Sequence, residues 1–281
     1  YNLASVRVAA SLMGCTNEAL QKAVDAFDPQ NGRLQTYDLA GRRVLLNLAK
    51  NPTGFNQNLK IVAQDQAPKV VAFFINDKEA DGRDVSWLWD IDFEELAQAG
   101  PLTAYAGGIR GRDMAVRLKY AGIDAQTVES ADDLLHRIAQ QPREVSAYII
   151  ANYTSLPGCK AALDAAVAAG GEVEPAAGEA PAPRDCGTLG APAGKDAASG
   201  QPPVVIAHLF PDLLNLYGDG GNVRVLQQRL AWRGIPAEVR RVNHGDAIDL
   251  SGVDLIMMGG SPDREQKLAS ADIVAMRDQL D

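Results

Sequence analysis

The sequence predicts an α/β protein made of two domains, each a mostly parallel sheet with helices on both faces, joined by a disordered linker. Three observations carry this expectation. Between Gly32 and Ala169, strand-like apolar runs alternate with helix-period segments, as parallel strands with crossover helices require. From Gly170 to Pro203 the composition collapses into Ala, Pro, Gly, Glu and Ser, with almost no large apolar residue. Such a stretch cannot bury enough surface to offset its ordering entropy. At Val204 a second strand, turn, helix and strand pattern begins. The length, 281 residues, exceeds the usual single-domain size and leaves room for more than one core.

In order along the chain, Ser5 to Phe27 place Val8, Ala9, Leu12 and Met13, then Leu20, Val24 and Phe27, at helical spacing. They read as a helical pair, with Asn17 as N-cap of its second member. After a turn at Pro29-Gln30-Asn31-Gly32, the segments Leu34 to Leu39 and Arg43 to Leu48 form a hairpin around Ala40-Gly41. Further strands are expected over Lys69 to Ile75, Leu102 to Ala106 and Ala147 to Ala151. Helices are expected over Thr53 to Gln64, Phe93 to Ala99, Asp113 to Ala121, Ala131 to Gln140 and Cys159 to Ala169. The second pattern gives a strand from Val204, a helix over Val223 to Trp232, and strands over Ala237 to Val242 and Leu255 to Met258. The chain reads as an internal piece: Tyr1 stands where an initiator Met would, and Asp281 falls inside an unfinished helical pattern.

A formal charge of -9 and a pI near 4.9 argue against nucleic acid or an anionic membrane as the main partner. Three cysteines, Cys15, Cys159 and Cys186, show no C-x-x-C spacing, so neither a disulfide framework nor a zinc site is indicated, and no metal ligand is assigned. No apolar stretch approaches the ~20 residues that a bilayer crossing needs.

Four stretches could carry chemistry. Lys50-Asn51-Pro52 lies between a strand and a helix, where open α/β sheets bind ligands and a helix N-terminus offers N–H donors to phosphate. The alternative is a solvated turn with a helix-starting proline. The acidic run Asn76 to Asp84 leaves the carboxyl end of a strand and continues into Trp87-Leu88-Trp89-Asp90. Bulky aromatics beside carboxylates suggest a fixed geometry, as a carboxylate orienting a histidine or an amine would need. Tyr217-Gly218-Asp219-Gly220-Gly221-Asn222 places three glycines between strand and helix, which permits tight turning and close backbone approach to a ligand, the alternative being a structural β-to-α turn. Gly259-Gly260 could supply backbone N–H groups to a developing oxyanion. His208 and His244 read as structural.

These motifs carry a resemblance. Residues Gly32 to Tyr153 resemble the C-terminal domain of the Mur-ligase-type subunit, MurT, of lipid II isoglutaminyl synthase. The likeness rests on Ala49-Lys50-Asn51-Pro52-Thr53-Gly54-Phe55-Asn56 and on Asn76-Asp77, Asp81-Gly82-Arg83-Asp84-Val85-Ser86-Trp87-Leu88-Trp89-Asp90. Residues 1–31 resemble the tail of the preceding ATP-binding domain. Val204 to Asp281 resemble the start of the glutamine amidotransferase partner, GatD, through His208 to Asp219, Gly221-Asn222, Gly259-Gly260 and Asp263-Arg264-Glu265-Gln266.

The resemblance implies two Rossmann-like domains, 32–169 and 204–281, flanking a linker over 170–203. It implies an amide ligase that uses ATP and Mg2+ to activate the α-carboxylate of D-glutamate in the lipid II stem peptide. Ammonia from glutamine, released by a Cys and a His, would give D-isoglutamine at the cytoplasmic face of the membrane. The expected roles are nucleotide contact for Lys50, Asn51 and Pro52, and an oxyanion hole for Gly259 and Gly260. Asp77, with Asp81 as alternate, would be the carboxylate lent across a MurT-like/GatD-like interface to the amidotransferase His. Two departures stand out: Lys78-Glu79 follows the aspartate in place of small or amide residues, and Ser261-Pro262 replaces Gly-Gln, so that a proline removes one backbone donor. A Gly-Lys-Ser/Thr loop and the amidotransferase Cys and His are not found, so this stretch by itself is expected to be catalytically silent. A cobyrinate-type amidotransferase ligase is the alternative enzyme, and a non-catalytic scaffold of two modules is the alternative outside enzymes.

Overall fold

The computed structural model of the protein describes residues 2–26, 32–170, 202–216 and 218–277. Apart from their edges, the linker expected over 170–203 and the turn expected at Pro29 to Gly32 lie outside these residues, as do Tyr217 and residues 278–281.

The opening helical pair is present as α1 (Asn2–Leu12) and α2 (Asn17–Asp25). Its cap is one residue earlier than expected: Thr16, in extended backbone, accepts from the Ala19 N–H at 3.2 Å, so Asn17 is the first helical residue.

The first module is a six-stranded sheet in the order β1-β2-β6-β3-β4-β5. Its strands are β1 (Gln35–Leu39), β2 (Arg42–Leu48), β3 (Lys69–Phe74), β4 (Leu102–Gly107), β5 (Ala125–Thr127) and β6 (Ser146–Ala151). Only β1 runs antiparallel, closing the hairpin on β2; every other pairing is parallel. β3 sits near the middle with all six residues buried, which is why Val70 to Phe74 read as an unbroken apolar run. Lys69, at its start, is buried because its Nζ donates to the Ala99 carbonyl at 2.7 Å.

Helices cover both faces. On one side α3 (Pro52–Gln64), α4 (Phe93–Leu96) and α5 (Gly111–Tyr120) enclose a core that includes Phe55, Leu59, Phe73, Leu88, Phe93 and Leu118. On the other, α6 (Ala131–Ala139) and α7 (Leu156–Ala168) cover Leu46, Val70, Leu134 and Leu163. Buried Cys159 belongs to this second core, where desolvation pushes its thiol up to about 12, so it packs as a small hydrophobe. The connections leaving β3 and β6 depart in opposite directions, making a topological switch point between those neighbouring strands.

The second module is a three-stranded parallel sheet, β8-β7-β9, made of β7 (Val204–Leu209), β8 (Ala237–Val242) and β9 (Leu255–Met258). With it go α8 (Gly220–Ala231) and α9 (Asp263–Ala275). Its small core gathers Ala207, Leu209, Phe210, Leu214 and Met276. Helix α8 begins three residues before the expected Val223 because Gly220 and Gly221 are themselves helical.

Two elements have no counterpart in the sequence reading: the three-residue edge strand β5, and a 3-10 turn over Ser86–Asp90. The expected helix over Phe93 to Ala99 shrinks to four residues. No helix among the described residues is long and apolar enough to cross a membrane.

The sheet edge that holds the switch point depends on Gly108. Its φ is +83°, and a Cβ there would lie 2.5 Å from the Ile75 carbonyl oxygen. Gly108→Ala is expected to destabilise the first module by at least about 1–3 kcal/mol from backbone strain alone. Gly158→Ala, on open helix surface, should instead stabilise by about 0.5–1 kcal/mol; urea denaturation of both variants tests the contrast.

Candidate functional site

At the switch point the loops leaving β3 and β6 are stitched together. Asn76 N–H donates to Asn152 Oδ1 at 3.1 Å, and Asn152 Nδ2 returns a bond to the Asn76 carbonyl at 2.7 Å. Asn76 Oδ1 also accepts from the Ile109 N–H at 2.9 Å, tying in the loop after β4. The crevice is thus filled by the protein's own amides, each of them satisfied.

Both acidic candidates lie on this loop and both have partners within the first module. Asp77 Oδ2 receives Arg110 Nε and Nη2, each at 2.9 Å. Asp81 accepts from the Thr154 N–H at 3.0 Å and from the Thr154 hydroxyl. A third carboxylate of the run, Asp84, is exposed and takes the Ser86 N–H at 2.8 Å and hydroxyl at 2.9 Å, fixing the start of the 3-10 turn.

Lys50 and Asn51 emerge at the carboxyl end of β2, beside β6, as the sequence suggested. Asn51 is the N-cap of α3: its Oδ1 accepts from the Gly54 N–H at 2.8 Å, with Pro52 at the first helical position. Asn51 therefore spends its side chain on the helix, and exposed Lys50 is the group offered outward. Among the described residues no group of three or more His, Cys, Asp or Glu is arranged to hold a metal ion.

The two motif stretches of the first module are locked to each other. Phe55 packs on Trp87 with ring centroids 5.4 Å apart. Asn56 and Asp92 exchange two bonds of 3.0 Å, side chain to side chain and backbone to side chain. Beneath them Arg117 is buried, its guanidinium covered by the Trp89 and Phe93 rings at 5.4 and 5.2 Å. It donates to the Leu88 carbonyl at 3.1 Å, the Ile91 carbonyl at 2.6 Å and Glu94 at 3.0 Å. Burial pushes this guanidinium below its ordinary value, and Glu94 opposes the shift.

The Gly-rich turn of the second module is seated on this platform. A Cβ on Gly218 would lie 2.4 Å from the Ser86 carbonyl oxygen, and one on Gly221 would lie 2.5 Å from Trp89 Cβ. Asn215 spans the contact, donating Nδ2 to Asp90 at 2.9 Å while its Oδ1 accepts the Gly220 N–H at 2.7 Å. Arg224 on α8 donates to Asp92 at 2.9 Å, Glu94 at 2.9 Å and the Ile91 carbonyl at 3.1 Å. Trp89, Tyr120 and Trp232 then pack in sequence, the first pair edge-on and the second tilted, with centroids 5.4 and 5.1 Å apart. The half-exposed ion pairs are each worth about 0–1 kcal/mol. Each aromatic pair adds about 0.5–1.5 kcal/mol to its area term, so close packing carries the adhesion and the charges set its register.

Electrostatics mark this contact. Desolvation raises the Asp90 carboxyl above its ordinary value, with Asn215 and Arg224 pulling it down and Asp219 and Asp92 pushing it up. Burial also opposes ionisation of Glu94, yet Arg117 and Arg224 hold it below the ordinary range. Sequence reasoning missed Asp90, Asp92 and Glu94 as interface residues; only the Trp-Leu-Trp spacing hinted that the segment was anchored.

Within the second module, Gly259 lies against the Leu214 carbonyl and the Asp219 side chain, with no room for a Cβ. The Gly260 N–H donates to Asp219 Oδ2 at 3.1 Å. His208, 3% exposed at the end of β7, has its imidazole pushed below the ordinary value by burial and by Arg241, against Asp219. It is a core histidine, as expected. His244 pairs with an acid: its Nδ1 lies 2.7 Å from Asp272 Oδ2, a pairing across 28 positions that leaves no local signal.

Comparison with known proteins bears out the resemblance. Residues 48–156 match the family described as MurT ligase C-terminal. The MurT subunit of lipid II isoglutaminyl synthase (glutamine-hydrolyzing) from Staphylococcus aureus is 29% identical over 158 residues, 56% of this chain and 36% of that protein. The GatD subunit from the same species is 36% identical over 77 residues, 27% of this chain and 32% of that protein. The chain therefore spans about a third of the length of the curated relatives it matches. A solved structure, UDP-N-acetylmuramate-alanine ligase MurC from Thermotoga maritima, is 15% identical with a TM-score of 0.43, covering 60% of this chain and 37% of that one.

Gly221→Ala is expected to separate the modules without unfolding either. The measurable signs are a larger radius of gyration by small-angle X-ray scattering, a red-shifted tryptophan emission as Trp89 meets water, and unchanged circular dichroism. An unaltered radius would show that the helix start does not depend on a bare Cα at this position.

Proposed function

We propose that the chain forms the coupling region of a glutamine-dependent, ATP-dependent amide ligase that converts the D-glutamate α-carboxylate of lipid II to D-isoglutamine in peptidoglycan synthesis. One observation supports this most. Segments similar to two different subunits of one enzyme pack against each other in a single chain, and they do so through the motifs that carry the similarity.

In this reading residues 1–31 end a nucleotide-binding domain, 32–169 form the ligase C-terminal domain, 170–203 are a tether and 204–281 open a Rossmann-like amidotransferase domain. The enzyme would work in the cytoplasm at the inner face of the membrane, meeting its lipid-linked substrate there. Joining the halves raises the local concentration of each for the other to the range of short-linker systems, roughly millimolar. That matters for a reaction in which ammonia made at one site must reach an activated carboxyl group at another.

ATP with Mg2+, when bound, supplies the phosphoryl group that activates the carboxylate for attack by ammonia. Toward it this chain offers exposed Lys50 at the N-terminal end of α3, where a cation and a helix dipole both favour phosphate. Asn51 and Pro52 act by fixing that helix start. On the glutaminase side, Gly259 would lend its backbone N–H to the oxyanion, and Gly260 would join it once Asp219 releases its N–H. A carboxylate of the first module would orient the histidine base and hold its tautomer.

Asp77 remains the proposed carboxylate, with Asp81 as alternate. Their bonds to Arg110 and Thr154 would hold them in fixed orientations. Asp84 joins them as a third candidate, because its partner Ser86 carries the carbonyl that touches Gly218.

Asp77→Asn in the intact polypeptide is expected to abolish glutamine hydrolysis, by about 10²-fold or more as for a misoriented histidine, while ammonium-driven amide formation persists. Unchanged glutaminase activity in Asp77→Asn would move the role to Asp81 or Asp84, whose Asn variants are measured beside it. Failure of the wild-type polypeptide to amidate a purified lipid-linked stem peptide would end the reading.

A further inference from the structure

Glu94 and the Ile91 carbonyl are each claimed by two arginines, one from each module. Arg117, inside the first module, reaches the Ile91 carbonyl at 2.6 Å and Glu94 Oε2 at 3.0 Å. Arg224, on α8 of the second, reaches the same two oxygens at 3.1 and 2.9 Å. Two guanidinium groups this close repel unless both acceptors stay between them, so the segment linking the 3-10 turn to α4 is fixed from both sides. Arg224 holds a third oxygen as well, on Asp92 at 2.9 Å, and Asp92 is gripped on its other side by Asn56 of α3. The planar fork of an arginine suits this three-acceptor arrangement, whereas a lysine ammonium is a single point charge.

We infer that Arg224 is a positioning residue: it acts through Ile91, Asp92 and Glu94 to hold the Ser86–Glu94 segment in the arrangement that presents Asp90 to Asn215, and so ties the helix after Lys50 to the Gly-rich turn of the second module. The role is one of register and not of adhesion. The aromatic stack and the glycine contacts keep the modules together, and they do not involve Arg224. Arg224 acts through Ile91, Asp92 and Glu94, so its effect on chemistry is indirect. That catalytic consequence rests on the functional reading above; the positioning itself does not.

Two measurements separate these layers. In the 281-residue chain, Arg224→Gln is expected to leave the scattering radius unchanged and to speed amide hydrogen exchange over residues 86–95 by about tenfold, the scale of a coupling lost from one charge network. Arg224→Lys should fall between wild type and Gln. In the intact polypeptide the same Gln variant should lower glutamine-driven amide formation about tenfold while ammonium-driven amide formation stays within about twofold of wild type.

Unchanged exchange over residues 86–95 in Arg224→Gln overturns the inference, whatever the enzyme makes. A larger scattering radius also overturns it, because Arg224 would then be an adhesive contact. Equal loss of the glutamine-driven and ammonium-driven reactions counts against it, since a register defect spares the second. If wild-type polypeptide forms no amide at all, the functional reading falls while the exchange result still stands on its own.

Discussion

The whole arrangement depends on two missing methyl groups. At Gly218 and Gly221 the backbone of the second module approaches the Ser86 carbonyl and the Trp89 side chain so closely that any Cβ would overlap them. Only glycine permits that approach, and at Gly218 it also permits a φ of +67°. The cost is conformational: glycine at a helix start loses more chain entropy on ordering than alanine does. The return is an interlocked surface in which a helix N-terminus meets a 3-10 turn backbone to backbone. The Tyr120 and Trp232 rings meet across the same contact, while Trp89 and Tyr120 pack on each other within the first module.

Once the modules are this close, the distribution of charge becomes intelligible. The first module carries a dense acidic run, and its members have separate duties. Asp77 and Asp81 pin loops inside their own module, Asp84 caps a turn, and Asp90, Asp92 and Glu94 face across. Three carboxylates gathered at one contact would repel. Arg117 from below and Arg224 from the far side offset that repulsion, and Asn215 satisfies Asp90 with a neutral donor. Burial raises the Asp90 carboxyl against the pull of Asn215 and Arg224, whereas at Glu94 burial is outweighed by the two arginines and the carboxyl is lowered.

Much of the fold was legible because it depends on local pattern. The apolar run Val70 to Phe74, the hairpin at Ala40-Gly41 and the helix after Pro52 were all expected, with boundaries differing by one or two residues. The misses share a physical cause. β5 is three residues of Ala-Gln-Thr whose only reason to be extended is the edge of β4, and no periodicity survives at that length. The 3-10 turn over Ser86–Asp90 is held by Arg117, which reaches the Leu88 carbonyl inside it and the Ile91 carbonyl just after it from 29 and 26 positions away. At the candidate site the sequence singled out the Trp-Leu-Trp-Asp and Gly-rich stretches separately. It could not show that one is the seat of the other, because complementarity between a tryptophan and a bare Cα is not a spacing.

The glycine pair Gly259-Gly260 shows how such a contact can bear on chemistry. Gly260 points its N–H at a carboxylate oxygen of Asp219, so the donor that would meet an oxyanion already holds an anion of the protein's own. Asp219 immediately precedes Gly220, whose N–H is held by Asn215, and Asn215 is in turn held by Asp90 of the first module. The occupant of the donor is therefore joined by one amide side chain to the segment that Arg224 keeps in register. Asn215 links the two by hydrogen bonds, with its Nδ2 on Asp90 of the first module and its Oδ1 on the Gly220 N–H of its own, while Asp90 and Asp219 also repel each other directly. A glycine at position 259 is needed for the same reason, because a side chain there would expel Asp219 and cut the link at its far end. What reads in the sequence as two unrelated glycine motifs is, physically, a single path of close contacts that begins at the aromatic platform of the first module and ends at a backbone donor of the second.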